Sequence, residues 1–570
     1  MKLLFTFLFF LLINSAFAQS KTYPVIASPI DLPISLSGTF CELRNSHFHA
    51  GIDFKTNGEE GHKIYAVDEG YISRIKISGS GYGKALYIDH PTGYTSVYGH
   101  LQKFNPEIEA WLYKVHHHLQ SAQIDTMLPP NVLKVKRREW VALSGNTGGS
   151  QGPHLHFEMR ETATEAPVNP KLFGLKINDN TPPYPGQLMF QAFDKEEALS
   201  NEVKIKLTKK GNYFGLPNSD TLKVNATKIG VSLFAEDKME GSENNNGIYE
   251  LKLKVEDETN FGFRFSELSS FDDGRKIAGH MEHRTHKITG AKYHRCYRLP
   301  GNYLPVYFNL KNNGFIDIEN EPVKVALEVS DFNKNTSRIQ FYLLHDSTAN
   351  IFSFQPKKFQ QILSYKKAHE FEAEGIRVQF KDSTFYENVY FNYSITTGNA
   401  TSKIFSDIHQ LHTDLDPCQR EFEITLFTKN IPDSLRHKAL AVRENFKGNR
   451  APLYGEWNGD QSFTFSSKEF GKFYISVDTT APKINPINIY ANKLMRSENT
   501  VKFRVSDNLT GVNTINLFID GKWMLTEYDA KNNLVWHKFE PLLEQGPHQL
   551  VLEVTDRMNN KQTFKTTFRR

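Results

Sequence analysis

Cysteine is scarce: Cys41, Cys296 and Cys418 are the only three in 570 residues, and they stand far apart. That pattern excludes a small fold stapled by paired disulfides, since at most one bridge can form and none is required. Long apolar runs are missing too. After residue 18 no stretch approaches the ~20 residues that a membrane-spanning helix needs. Charge of one sign is also lacking: the formal net charge is +4, with no block of Lys and Arg, which argues against nucleic acid as a partner. What the chain does have is 39% hydrophobic and 13% aromatic residues, ample for folded cores and, through Phe and Tyr, inclined to strands. At roughly 100 to 200 residues per domain the length calls for several domains.

The first 18 residues read as an export signal: Lys2, the apolar run Leu3 to Ile13, then Ala16-Phe17-Ala18 before Gln19. No Cys stands at that junction to take a lipid. The mature chain is therefore expected to cross the inner membrane into the periplasm or cell envelope, or to reach the cell surface.

From 19 to 178 short strands alternate with Gly-rich turns, which predicts an antiparallel β domain. The stretch Asn178 to Pro185 holds three prolines and cannot continue a strand or helix, so a boundary is placed there. A related D-x-T-x-P stretch begins at Asp478. Between and beyond them the chain repeats itself: Pro322 to Asn335 and Pro547 to Asn560 both fit P-x3-[AV]-L-E-V-[ST]-D-x3-N. Upstream, Asp237 with Gly247-Ile248 answers to Asp507 with Gly511-Val512. Two immunoglobulin-like sandwiches, 180–345 with an insertion and 480–570, account for this most economically. Residues 346–478 read as a β domain of uncertain type. Asp331 and Asp556, which end the repeated strand, read as turn formers in preference to interdomain calcium ligands. The expected fold class is thus mostly β, with an antiparallel first domain followed by sandwiches.

Three segments of the first domain carry candidate chemistry. In His47 to Phe54 a period of two puts Phe48, Ala50, Ile52 and Phe54 on one face and His47, His49, Gly51 and Asp53 on the other. In Gly152 to Arg160 the residues Leu155, Phe157 and Met159 oppose His154, His156 and Glu158. A loop with four glycines precedes it, suited to close approach by a substrate backbone. In Gly93 to Leu101, the return strand of a hairpin, Tyr94, Ser96, Tyr98 and His100 share a face. Read alone, each segment could also be an ordinary solvated strand face.

Together, H-x3-D, then Y-G-H-L, then H-L-H resemble the lysostaphin-type, LytM-like zinc endopeptidases, over Gly38 to Phe173. The resemblance implies one Zn²⁺ held by His49, Asp53 and His156, with His100 and His154 flanking the water that attacks. His154 is the preferred general base, with His100 on the oxyanion or leaving amine, and the two roles are exchangeable. It also implies a substrate, the stem peptides or cross-bridges of bacterial peptidoglycan. A non-catalytic or partner-activated wall-binding regulator is the alternative, against which retention of all five residues argues. A protein activator is a conceivable partner.

Residues 102–131 are an insertion relative to that family. Asn105 as cap, Pro106 in the first turn, Glu107 and Glu109 near the positive end, and the stripe Ile108, Trp111, Leu112, Val115 and Leu119 predict an amphipathic helix. It is expected to wall or cover the substrate groove, with His116 to His118 as solvated surface. His47 has no assigned role.

Overall fold

The computed structural model describes residues 21–195, 198–239, 242–459, 461–539 and 543–570; the expected export signal lies outside them. The chain is mostly β, in predominantly antiparallel sheets. No helix among the described residues is long and apolar enough to cross a membrane. All three cysteines are buried free thiols.

One nine-stranded sheet positions the candidate site. Its main path runs Leu36–Gly38, Ile52–Lys55, His154–Glu161, Tyr94–Gly99, Lys84–Asp89, Gly70–Ile77 and Ile124–Met127. The strand His154–Glu161 is the hub. On one side it pairs His156 with Asp53, and on the other it pairs His156 with Gly99. Antiparallel register thus sets the three sequence motifs side by side in one row. Leu155, Phe157 and Met159 point to the opposite face and are buried, Phe157 against Phe54 and Tyr98.

Two expectations about this region change. The half-buried strand expected from His47 begins only at Ile52, and His47–Gly51 leads into it irregularly. Its polar side is not solvated either: His49, Asp53, His156 and Glu158 are all buried. The opposite face is covered by the next part of the chain. Phe48 packs against Phe265 and His280, and its amide donates to the Gly274 carbonyl. One hydrophobic core accordingly runs from Ile26 to Phe352.

That core takes in two further sheets built from 184–345. Residues 361–477 form a second core, fed by three sheets, and 489–568 a third, fed by two.

The insertion helix forms at Pro106–Leu119, and the Asn105 side chain accepts from the Ile108 amide as its cap. Ile108 and Leu112 are buried and Trp111 and Val115 half-buried, but Leu119 is exposed. His116 is buried in its place, because the left-handed cap at Gln120 turns the chain back and Nδ1 of His116 meets the Ser121 carbonyl. The three histidines are therefore not a uniform solvated surface. His117 is half-buried and lies edge-on to Trp523 of the last sandwich.

Candidate metal centre

His49 Nδ1 lies 2.9 Å from the Thr39 carbonyl. A carbonyl only accepts, so Nδ1 carries the proton and Nε2 turns its lone pair inward. His156 is fixed in the opposite sense. Its Nε2 lies 2.7 Å from the buried Glu158 carboxylate, which leaves Nδ1 facing inward. The two inward nitrogens stand 3.0 Å apart. Asp53 Oδ1 is 3.1 Å from the first and 2.9 Å from the second, while its other oxygen accepts from Arg44 at 3.0 Å.

With both outward nitrogens spent as donors, neutral rings would bring two lone pairs and a carboxylate oxygen together with nothing positive between them. Such a cluster demands a cation. Burial works against the charged form of His156, yet the Asp53 and Glu158 carboxylates beside it raise its pKa to about 9. Two imidazole nitrogens and one carboxylate oxygen, with no thiolate, form the donor set of a zinc site that keeps a fourth position open. The residues present fit the ion that the resemblance implies.

His154 and His100 complete the ring of imidazoles. Nδ1 of His154 sits 2.9 Å from the Gly152 carbonyl and 3.2 Å from Ser150 Oγ, and its Nε2 is 3.6 Å from Asp53 Oδ1. Nδ1 of His100 lies 2.8 Å from the Thr147 carbonyl, and the ring is centred 4.7 Å from that of His154. Burial, then the neighbouring His154 and His156, push the His100 pKa down to about 3; burial also lowers that of His154. All five residues singled out in the sequence therefore meet at one place. His47 does not join them, being exposed and in contact with Ser46.

His100 arrives there by a route that strand alternation does not give. Tyr98 contacts Phe157 on the core face, whereas His100 contacts His154 and His156 on the other face. The expected sharing of a face by Tyr98 and His100 fails because His100 adopts φ 59° just past the strand, which turns its side chain across. Gly99 makes the room: a Cβ there would stand 3.3 Å from the Cβ of His156.

Several supporting residues carried no motif. Glu158 also accepts from Arg160 Nε at 2.6 Å and from the Tyr82 hydroxyl, whose ring stacks on His156. Although burial opposes it, Arg160 and His156 hold the Glu158 carboxyl well below the usual range. Its place on the strand face of His154 and His156 was the available signal. The loop before that strand is braced from far along the chain: Lys531 donates to the carbonyls of Asn146 and Ser150. Gly148, at φ 71°, presses on Gly81 and Gly83 so closely that a Cβ would lie 2.3 Å from the Gly83 nitrogen.

Residues 47–170 match Peptidase family M23, and residues 360–478 match a Zu5-like domain, a type for the β unit that the sequence left untyped. An uncharacterized metalloprotease of Haemophilus influenzae is 31% identical over 110 residues, 19% of this chain and 18% of the relative. A DD-carboxypeptidase/endopeptidase of Neisseria meningitidis serogroup B is 31% identical over 128 residues, 22% of this chain and 23% of the relative. The matched part thus spans less than a quarter of either relative. Among solved structures, the catalytic domain of the antimicrobial peptidase lysostaphin from Staphylococcus simulans aligns at 24% identity and a TM-score of 0.18. That alignment covers 24% of this chain and 88% of the other.

Proposed function

Residues 47–170 being a Peptidase family M23 domain, we propose that the chain is an exported zinc metalloendopeptidase that hydrolyses peptide cross-links of bacterial peptidoglycan. The observation that carries this reading is the pair of inward-facing nitrogens, His49 Nε2 and His156 Nδ1, 3.0 Å apart beside Asp53 with both outward nitrogens already committed. The designation of the Neisseria relative as a DD-carboxypeptidase/endopeptidase supports the substrate class.

A zinc ion held by His49, Asp53 and His156 would supply a Lewis acid that polarises an amide carbonyl and acidifies water. The chain's own groups do the rest. The Thr39 carbonyl and Glu158 fix the ring orientations of His49 and His156, the kind of outer support that preserves a metal site. Because Gly152 accepts from Nδ1 of His154, a neutral His154 presents Nε2 as a proton acceptor beside Asp53. There it can take a proton from the attacking water and return it to the leaving amine. His100, held by the Thr147 carbonyl in the same tautomer, presents its own Nε2 on the other flank. Neutral, it is a second proton acceptor, and it serves the oxyanion only once protonated; His154 is assigned as first base because its Nε2 lies 3.6 Å from Asp53 Oδ1.

The test is digestion of purified peptidoglycan by the full mature chain, with the fragments read by mass spectrometry. Cross-linked muropeptides should fall to monomers carrying a new amine and a new carboxylate, and a chelator should stop the reaction. Release of glycan fragments with peptides intact would refute the proposed bond class.

A further inference from the structure

Away from the peptidase centre, three carboxylates converge where the first domain leaves for the next. One oxygen from each of Asp179, Asp237 and Asp331 lies within 4.8 Å of the others. Asp478, Asp507 and Asp556 converge in the same way near the C-terminus. These are the same three positions of the repeated unit: the Asp of D-x-T-x-P, the Asp ahead of Gly-Ile or Gly-Val, and the Asp that ends L-E-V-[ST]-D.

Hydrogen bonds account for two of the three acids in the first copy and reach all three in the second, where Asp507 Oδ2 accepts from the Leu509 and Gly511 amides at 3.0 and 2.9 Å. Asp331 accepts from the Asn335 amide and from its Nδ2, both at 2.8 Å, and that Nδ2 also reaches the Asp179 carbonyl at 2.9 Å. Asp556, Asn560 and Asp478 repeat the arrangement, with 2.7, 2.7 and 2.9 Å. Asp179 Oδ1 accepts from the Thr181 amide as Asp478 Oδ1 does from Thr480, each at 3.0 Å.

Asp237 is different. It is 4% exposed, and its Oδ1 has no hydrogen-bond partner. Directly opposite it in the antiparallel pair stands Asn246, and such residues present their side chains on one face. Asn246 is 3% exposed, and neither its Oδ1 nor its Nδ2 has a partner. A buried carboxylate and a buried amide side by side, both unsatisfied, are costly unless something else bonds them.

We propose that Asp179, Asp237, Asp331 and the Asn246 amide oxygen bind one calcium ion. The donor set is all oxygen, without a nitrogen or sulfur that would favour a transition metal. Calcium takes six to eight oxygens at 2.3–2.6 Å in adaptable geometry, so oxygens on one ion lie at most about 5 Å apart. The triad meets that limit. Magnesium would keep several waters, for which so buried a set leaves little room. Charge agrees: the buried Lys171 faces all three acids, leaving two negative charges for a divalent ion.

The site joins three pieces of chain. Asp179 belongs to the Pro-rich segment leaving the peptidase domain, Asp237 to the strand Lys228–Lys238, and Asp331 to the turn after Val323–Ser330. Asn333 adds bonds to the Ile177 and Asp179 carbonyls. Calcium would therefore stiffen the junction between peptidase and sandwich. It acts independently of the peptidase reading above.

Equilibrium dialysis of the full mature chain against calcium, paired with thermal unfolding, tests it. Wild type should bind calcium and unfold at higher temperature in its presence. Asp237→Asn, nearly isosteric, should bind one equivalent fewer. Asn246→Ala should weaken binding at that site about tenfold, by analogy with loss of a supporting group at a metal site. If wild type takes up no calcium at millimolar concentration, or if folded Asp237→Asn keeps every equivalent, the proposal is wrong. Should Asp237→Asn fail to fold, Asn246→Ala decides, and unchanged affinity there overturns the assignment.

Discussion

Lys531 donates to the backbone carbonyl of Ser150 at 2.9 Å, joining the last sandwich to the loop beside the candidate active site. The contact is not isolated. Lys84 pairs with Glu527 at 2.8 Å, and the Ala530 amide donates to the Gly79 carbonyl at 3.3 Å. Ser150 and Gly152 hold His154, and Thr147 holds His100, so the last domain braces the loop that orients both rings. The insertion helix also meets that domain, through His117 and Trp523.

Lys531→Ala should accordingly lower kcat on a small soluble muropeptide by about tenfold, the equivalent of one charge-assisted hydrogen bond of ~1.5 kcal/mol. Zinc content should not change. A rise in kcat would show instead that the contact holds the loop shut.

Glu158→Gln should weaken zinc binding by about 10- to 100-fold, because the carboxylate that fixes His156 is lost. It should also destabilise the fold by about 3–5 kcal/mol, since Arg160 would remain buried with its partner uncharged. Chelator competition reads the first effect and thermal unfolding the second. Affinity equal to wild type would remove Glu158 from the account.

The motifs of the centre were legible because antiparallel register turns local spacing into a row: Asp53, His156 and Gly99 pair directly. The helix cap at Asn105 was legible for the same local reason. His100 was placed on the wrong face because a single positive φ at a strand end cancels the alternation, and positive φ is uncommon at any single non-Gly residue even though His is enriched there. Phe48 against Phe265, and Lys531 against the loop, carry no motif at all. Such long-range packing depends on how whole sheets meet, which periodicity does not report.

That packing makes the Pro-rich boundary at 178–185 a poor place to cut. A fragment of 19–178 uncovers Phe48, fully buried in the whole chain, and each such side chain contributes about 1.5–3 kcal/mol. The fragment should melt well below the full chain and bind a hydrophobic dye. A soluble fragment with the parent's unfolding midpoint would show that the shared core adds nothing to the peptidase domain.

Acid should loosen the same junction. His280 and His294 lie 2.9 Å apart, buried among Phe48, Phe263 and Phe265. Burial holds His280 well below its usual pKa and His294 at about 3. The unfolded chain, with histidines near 6.5, then binds protons that the folded chain refuses. Stability from this pair is complete above pH ~6.5 and falls as pH drops towards 3, by about 1.4 kcal/mol per pH unit for each histidine. Thermal unfolding between pH 7 and 4 should show this slope, and a His280→Gln/His294→Gln double variant should flatten it. An equal slope in both proteins would acquit the pair.

In the proposed centre His49, Asp53 and His156 hold the metal while His154 handles protons. Metal analysis of the purified chain, with muropeptide hydrolysis measured on the same samples, tests it most directly. Wild type should carry one zinc per chain and be active. His156→Ala should lose both zinc and activity, and His154→Ala should keep its zinc while activity falls by about 100-fold or more, as for loss of a general base. A His154→Ala protein that loses zinc as fully as His156→Ala, or an active wild type free of metal, would contradict the account.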